Sequence, residues 1–368
     1  MRVAIATDAW SPQTNGVVTT LKATVDTLTR LGHEVRVISP QGMLSIPAPS
    51  YPEIRLAVWP VPHIRRAMKA FRPHAIHIAT EGPLGFAMWR YCRHRGVPFT
   101  TAYHTKYPEY LRARWPIPLN VSYAWLRRFH GAATRTFVSS GSLSRQLAER
   151  GFKHLHLWRR GVDLQRFRPP AEPHPEVVGL PRPIMAYCGR LAVEKNIDAF
   201  LHLKEPGTKL VVGDGPQRAE LAARHPEVKF VGFRHGAELG QMVGSADVLV
   251  FPSLTDTFGL AMIEALACGV PVAAFPVPGP IDVIEQGVTG VLHEDLSLAV
   301  RSALKLDRSV CARHTAATFT WEAATEQFIA GLEPIPQALR ATLAVRRSSV
   351  IISRILARTQ ASGTGDAN

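Results

Sequence analysis

Residues 253–272 read SLTDTFGLAMIEALACGVPV. An apolar strand ends at Ser253, a short polar loop follows, then an apolar segment of helical period, and Val270-Pro271-Val272 opens a new strand. Strand, loop, helix, strand is the repeating unit of a parallel sheet with crossover helices. Two carboxylates, Asp256 and Glu264, stand on either side of Phe258-Gly259. Asp256 is expected in the loop and Glu264 about two turns into the helix, where ~3.6 residues per turn brings it near the face that the helix start presents. Gly259 and its neighbours leave backbone N–H groups unpaired at that start, which suits an anion. A diphosphate with a sugar on each side would use the anion site and both carboxylates.

The same alternation extends in both directions. In the second half, 183–189 (PIMAYCG), 209–216 (KLVVGDGP), 227–233 (EVKFVGF) and 246–252 (ADVLVFP) read as strands, and PVAAFP and TGVLH follow the opening motif. In the first half, strands are expected at 2–7, 33–39, 54–58, 74–79, 98–104, 134–139 and 154–157, with helices between them, one of them at 116–130. The pattern predicts an α/β protein with two doubly wound parallel sheets. Residues 159–183 are rich in Pro and carry neither period, so they read as an interdomain linker. The expected units are residues 1–160, a linker at 161–182, residues 183–332, and a basic, partly amphipathic tail at 333–368.

Ligands of such sheets bind beyond the carboxyl ends of the strands. That rule puts Asp8–Gly16, Thr80–Gly82, His104-Thr105 and Ser139–Ser142 on one rim, and Arg190 and Lys195 of GRLAVEKN on the other. Asn15-Gly16 lacks the three glycines of a dinucleotide fingerprint, which argues against a dehydrogenase. Gly16 serves either the turn or the close approach of a phosphate. His104 and Glu81 are candidates for ligand contact by position, with a structural role as the alternative. Arg190 offers paired planar donors and Lys195 a point charge, which together suit a diphosphate facing the helix start.

Charge is divided unevenly. Residues 1–168 hold 25 Lys/Arg and 8 Asp/Glu, a balance of +17, whereas residues 169–368 hold 18 and 21, a balance of −3. A basic half joined to a mildly acidic half points to one surface that meets something anionic. Two stretches interleave cations with aromatics. One carries Arg65, Arg66, Lys69 and Arg72. The other, at 107–129, carries Trp115, Arg127 and Arg128. This composition suits an anionic bilayer surface; no nucleic-acid motif accompanies it. Cys92, Cys188, Cys268 and Cys311 form no metal or redox spacing, so a reduced, cytoplasmic setting is expected. The first residues read as a strand rather than a signal peptide, and no apolar run approaches ~18 residues.

Taken together, PQTNGV, RGVDLQRFRP, GRLAVEKN, GDGP, VKFVGF and TDTFGLAMIEALACGVPV resemble a family-4 glycosyltransferase of the GT-B fold, over about residues 1–332. Within that family the likeness is to the bacterial lipid glycosyltransferase and alpha-mannosyltransferase subgroup. Trp321 resembles the family's aromatic where the chain returns to the first domain. The resemblance implies two Rossmann-like domains facing across a cleft, the first for acceptor and the second for nucleotide-sugar, with retention of configuration, no metal and no cofactor. It implies that Arg190 and Lys195 hold the donor diphosphate, and that Glu264 accepts from the ribose hydroxyls. Asp256 then contacts the donor sugar, while Thr257, Phe258, Gly259 and Leu260 offer backbone N–H groups. Gly16 approaches the diphosphate, His104 lies near the transferred sugar, and Phe233 and Arg234 hold the base. Most relatives carry Glu where this chain has Asp256, so donor-sugar preference does not follow from the family pattern.

The function expected from all of this is transfer of a hexose or hexuronic acid, with a UDP-linked donor preferred, to a membrane lipid such as diacylglycerol. The protein would sit peripherally on the inner face of the cytoplasmic membrane, with Glu81 and the basic-aromatic segments on the acceptor or membrane face and the tail RATLAVRRSSVIISRILAR on the same surface. The alternatives are a GDP-mannose-dependent mannosyltransferase acting on phosphatidylinositol or a glycan, and a nucleotide-sugar or nucleic-acid binding protein on a decayed scaffold. Intact Arg190, Lys195 and Glu264 count against decay.

Overall fold

The structure is a computed structural model that describes residues 1–13, 15–48, 51–114 and 117–343. Trp115 and the tail segment 344–368, both singled out above, lie outside the described residues. Eight strands belong to the first half: β1 (Arg2–Ala6), β2 (Glu34–Ile38), β3 (Ser45–Ala48), β4 (Tyr51–Ala57), β5 (Ala75–Ile78), β6 (Thr100–Tyr103), β7 (Arg135–Val138) and β8 (Leu155–Leu157). Six belong to the second: β9 (Ile184–Cys188), β10 (Thr208–Val212), β11 (Lys229–Gly232), β12 (Val248–Phe251), β13 (Val272–Ala274) and β14 (Gly290–Leu292).

Two parallel six-stranded sheets result, in the orders β2-β1-β5-β6-β7-β8 and β11-β10-β9-β12-β13-β14. In each, strand order reverses beside the strand that comes first in sequence, β1 or β9. That reversal opens a crevice at the carboxyl ends. The central strands β1, β9 and β12 are almost wholly apolar and buried because helices cover both faces, whereas the edge strand β2 exposes Glu34 and Arg36 in part. In β9, Ile184 and Ala186 join one buried cluster with Met262, Ile263 and Leu266, while Met185 and Tyr187 join another with Phe200, Leu221 and Val300. Side chains at alternate positions thus feed opposite layers.

Three features differ from the sequence reading. The run at 54–58 is not a member of the parallel sheet. As part of β4 it pairs antiparallel with β3, in a hairpin apart from it. Two residues separate β3 from β4, and so short a connection permits only an antiparallel pair. Pro47 hid β3, because proline within a run argues against a strand. The helix expected at 116–130 is found at Leu119–His130, and a further helix that was not expected, Tyr107–Arg114, precedes it. Pro118 caps the former, since its ring and missing donor suit a helix start rather than an interior. Finally, the Pro-rich stretch is packed: Val162, Phe167 and Val177 are buried in the second domain's core.

The chain crosses between domains twice, at one place. Val162 N donates to Phe319 O (3.1 Å), and a Cβ on Gly161 would stand 2.4 Å from Trp321 N, so only glycine fits there. After this crossing the helix Trp321–Gly331 packs on the helix Gly16–Arg30 of the first domain. It buries Phe328 against His77, Phe137 and Trp158, at ring-centroid distances of 4.9, 5.4 and 4.9 Å. Ile335 and Leu343 are buried in the first domain as well. Residues 321–343 therefore add to the first domain's core, whereas the sequence reading kept residues up to 332 with the second. Among the described residues no helix is long and apolar enough to cross a membrane.

Truncating Phe328 to alanine removes a buried ring from this returning helix. The expected cost is about 3–5 kcal/mol. Urea unfolding followed by tryptophan fluorescence will show the first-domain transition at lower denaturant. Glu326→Ala, exposed on the same helix, should move it by less than ~0.5 kcal/mol. Equal shifts for the two would mean that the helix does not hold the first domain together.

Candidate active site

The loops after β9 and β12 meet at the second sheet's point of reversal. The first runs through Gly189 and Arg190 to the turn Val193–Lys195, and the second covers Pro252–Gly259. They are stitched by Asn196 Nδ2 donating to Pro252 O (3.0 Å) and Thr255 Oγ1 donating to Glu194 O (3.1 Å). Arg190 is half-buried, and its carbonyl accepts from Tyr187 OH at 2.7 Å. Lys195 Nζ lies 2.6 Å from Asp256 Oδ1, with side chains 22% and 17% exposed. Burial opposes the ammonium, but the Asp256 charge, with Tyr110 and Tyr187, overrides it and holds Lys195 above the usual lysine range. The other oxygen, Asp256 Oδ2, is buried with no hydrogen-bond partner among the described residues.

The helix begins at Leu260, later than the sequence suggested, so Glu264 lies just over one turn in rather than two. Asp256 and Thr257 resemble N-cap residues, yet the cap is Gly259, at φ 90°, with no side-chain hydrogen bond. A Cβ on Gly259 would stand 2.7 Å from Met262 Cε and 2.8 Å from Phe251 Cζ. The first N–H groups are thus left without a side-chain acceptor. The Phe258 ring packs inward on Phe319, so it can serve a ligand only through its backbone. Glu264 has no hydrogen-bond partner among the described residues, and desolvation raises its pKa to about 7.

The first domain contributes the opposite wall. Asn15 caps the helix Gly16–Arg30 by accepting from Val17 N (3.1 Å) and Val18 N (3.0 Å). Gly16 has no left-handed φ, and a Cβ there would meet only Leu260 Cδ1, at 3.7 Å. Neither the turn nor the packing demands glycine, which favours the close-approach alternative. His104 directly follows β6; its carbonyl accepts from Thr257 Oγ1 (2.8 Å), while Ser139 Oγ donates to Thr257 O (2.8 Å). Ser142 N and its hydroxyl both donate to the Asp282 carboxylate, the former at 2.9 Å. The two domains are therefore in contact across the cleft through Thr257, Asp282 and Leu260.

Glu81 was expected on the acceptor or membrane face. It is buried, and its carboxylate lies 3.1 Å from His130 Nε2, whose other nitrogen meets Thr101 Oγ1 at 2.9 Å. The chain folds this side chain inward, onto His130. Phe233 is 42% exposed beside the His235 ring, and Arg234 is clamped by Glu176 (2.6 Å) and Glu238 (2.9 Å). Arg65, Arg66, Lys69, Arg72, Arg127 and Arg128 are all exposed on the first domain. The sequence reading overlooked Asp282, Arg160 and Lys106. Lys106 is buried with Asp256 and Asp282 in electrostatic reach. Its place two residues after His104 on the rim was the available signal.

The geometry can be set beside known proteins. The model described as Glycosyltransferase Family 4 matches residues 14–166, and that for Glycosyl transferases group 1 matches residues 182–306. A GDP-mannose-dependent alpha-mannosyltransferase of Mycobacterium tuberculosis is 34% identical over 317 residues, 79% of this chain and 83% of that protein. The chain belongs to glycosyltransferase family 4. It is a transferase enzyme of the GT-B fold. The sulfoquinovosyl transferase SQD2 of Arabidopsis thaliana is 31% identical over 314 residues, 77% of this chain and 61% of that protein. Among solved structures, sucrose-phosphate synthase of Thermosynechococcus elongatus shares the fold at a TM-score of 0.72 and 21% identity, over 89% of this chain and 97% of that one. Anabaena Alr3699/HepE in complex with UDP and glucose shares it at 0.65 and 16%, over 90% and 98%.

A carboxyl group with a pKa of about 7 is half protonated at neutral pH. A ligand whose hydroxyls donate to Glu264 requires the ionised form. Nucleoside diphosphate affinity should then strengthen about tenfold from pH 6 to pH 8. Calorimetry across that range tests this, and Glu264→Gln should retain only the slope due to the diphosphate's own titration. An unchanged slope in the variant would remove Glu264 from the site.

Proposed function

We propose that this glycosyltransferase transfers mannose from GDP-mannose, with retention, to an acceptor presented at a membrane surface. The observation that carries the donor site is the Lys195–Asp256 pair beside an uncapped helix start, with an unpartnered Glu264 one turn further along. Lys195 has three N–H donors, and Asp256 occupies one of them. Two remain for the diphosphate, so donor binding does not have to break the pair. Arg190 adds planar donors, and the N–H groups at Gly259 and Leu260 complete the anion site. Glu264 accepts from ribose, and Phe233, with Arg234 fixed beside it, offers an exposed ring to the base. Gly16 lets the first domain close to the diphosphate.

In the reaction, the acceptor oxygen bonds to the anomeric carbon on the face from which the diphosphate leaves. The proton of the acceptor hydroxyl passes to a diphosphate oxygen. Lys195, Arg190 and the helix start stabilise the charge that develops there. Asp256 faces the sugar rather than the leaving group. These steps require no metal from the residues named.

The choice of GDP-mannose over the UDP-linked donor expected from sequence rests on the relatives. Mannosyltransferases named as GDP-mannose-dependent match 79–91% of the chain at 29–34% identity. A second reading, a UDP-linked hexose or hexuronic acid moved to diacylglycerol, is favoured by the 31% identity to a sulfoquinovosyl transferase. The membrane reading rests on the surface of the first domain. Helix Val61–Phe71 buries Ile64 and Met68 and exposes Arg65, Arg66 and Lys69. Beside it Trp59 is 80% exposed and Leu44 75%, and on the helix Leu119–His130 Trp125 is 48% exposed. Cations next to exposed apolar side chains suit an anionic bilayer, at ~1 kcal/mol per surface cation.

Thermal stabilisation by GDP should exceed that by UDP, and GDP-mannose should be hydrolysed in preference to UDP-sugars; the reverse order selects the second reading. Gly16→Ala should keep the melting temperature of the free protein and lose donor stabilisation. Loss of both would return Gly16 to a purely structural role. Vesicles of phosphatidylcholine with phosphatidylglycerol should sediment the protein at low salt and release it at high salt. Arg65→Glu combined with Lys69→Glu should weaken that binding about 10-fold or more. Binding that ignores salt and both substitutions would remove the membrane surface from the proposal.

A further inference from the structure

At the end of β8 the chain turns through Trp158-Arg159-Arg160 toward the second domain. Arg160 is 5% exposed. Its guanidinium lies 4.4 Å from the Trp158 ring centroid and donates to the carbonyls of Trp158 and Arg159. No carboxylate pairs with it among the described residues. Burial pulls its pKa down to about 9, which leaves it charged at neutral pH. Its Nη2 lies 3.3 Å from Nδ1 of His104, and the His104 ring meets the Trp158 ring edge-on at 5.6 Å.

A guanidinium has donors only. Facing it, Nδ1 of His104 must accept with its lone pair, so the ring proton resides on Nε2. Nε2 is buried and has no partner among the described residues. A doubly protonated ring would set two donors against each other. Burial first, then the charges of Arg160, His77 and His130, hold the imidazole well below its ordinary pKa. These are the groups that bear on the ring, and none is an anion. A buried donor without an acceptor is unfavourable, so an acceptor is missing from this place. Thr257, which lies over the donor site, donates to the carbonyl of the same residue, which places His104 at the contact between the two domains, beside the donor site.

We propose that Arg160 is a positioning residue that fixes His104 as a neutral Nε2–H donor to a hydroxyl of the bound donor sugar. The same contact removes His104 as a general base, since its only lone pair is already used. This rests on the donor site proposed above, and it adds a residue, a protonation state and a direction of hydrogen bonding. No proton is transferred at His104.

The test begins with the ligand-free full-length chain, labelled with 15N-histidine and with the His104 signal assigned by its loss in His104→Gln. The expected spectrum is the Nε2–H tautomer, neutral from about pH 8 to about pH 5.5. Arg160→Gln can accept as well as donate, so the ring should regain the Nδ1–H form and titrate at higher pH than in the wild type, though still below ordinary histidine because it stays buried. Arg160→Lys keeps a donor and should restore the wild-type tautomer. In donor hydrolysis, Arg160→Gln and His104→Gln should each lower kcat about tenfold, and the double variant should lose little more. A wild-type ring protonated on Nδ1, a ring that titrates near ordinary histidine, or additive losses would overturn the proposal. Nucleotide affinity unchanged in Lys195 and Glu264 variants would instead unseat the donor site, a result to which the ligand-free spectrum is blind.

Discussion

The contact between Lys195 and Asp256 is the one on which the second domain's site depends. It joins two loops that leave adjacent strands, β9 and β12, at the point where strand order reverses. Either charge alone, so far from water, would be costly, and removing one partner would strand the other. The backbone bonds from Asn196 and Thr255 on either side fix the separation of the loops. With the loops fixed, the helix at Leu260 begins where its open N–H groups face the same space as Nζ. The pair is also incomplete, since among the described residues Asp256 Oδ2 has no hydrogen-bond partner and Nζ bonds only to Asp256. An arrangement that is rigid and yet undersatisfied is what an anionic, hydroxyl-bearing ligand can complete.

Between the domains the contacts are of another kind. Thr257 meets His104 and Ser139 through neutral hydrogen bonds, and Ser142 meets Asp282 through a hydroxyl and one N–H. The neutral bonds exchange readily for bonds to water, at a net ~1 kcal/mol each, and those to the Asp282 carboxylate at about 1.5–3 kcal/mol. The covalent crossing differs, because Gly161 is pressed against the backbone at Thr320-Trp321 and Phe328 is buried beyond it. Strong apolar packing at the crossing and weak polar bonds at the cleft make the crossing the pivot and the cleft the part that opens.

Much of the fold was legible because period-2 apolar runs alternate with helical ones, and that alternation permits few topologies. The hairpin of β3 and β4 escaped because Pro47 breaks the strand pattern. The start of the helix at Leu260 escaped for a different reason. Asp256 and Thr257 have the chemistry of N-caps, but their side chains are drawn to Lys195 and to the first domain. Tertiary partners outcompeted a local motif. Glu81 was expected on the acceptor or membrane face and is buried instead, since nothing in EGPLG announces His130, forty-nine positions away. Arg160 was hidden in the same way: in RRGVD it reads as one more cation of a linker, and only the fold brings it to His104.

The two glycines at the cleft show how structure refines a motif. Both open a helix, and the two helix starts face each other, Gly16 against Leu260. Gly259 is required by its own chain, through a positive φ and the pressure of Phe251 and Met262. Its presence therefore says little about a ligand. Gly16 adopts a backbone that any residue can hold, with van der Waals room for a methyl group. The protein's own packing gives no reason for glycine there. A methyl group at Gly16 would narrow only the space between the two helix starts, where the partial positive charges of both converge. Of the two, Gly16 is the residue whose identity reports on an anion in the cleft, although Gly259 lies in the more conspicuous motif.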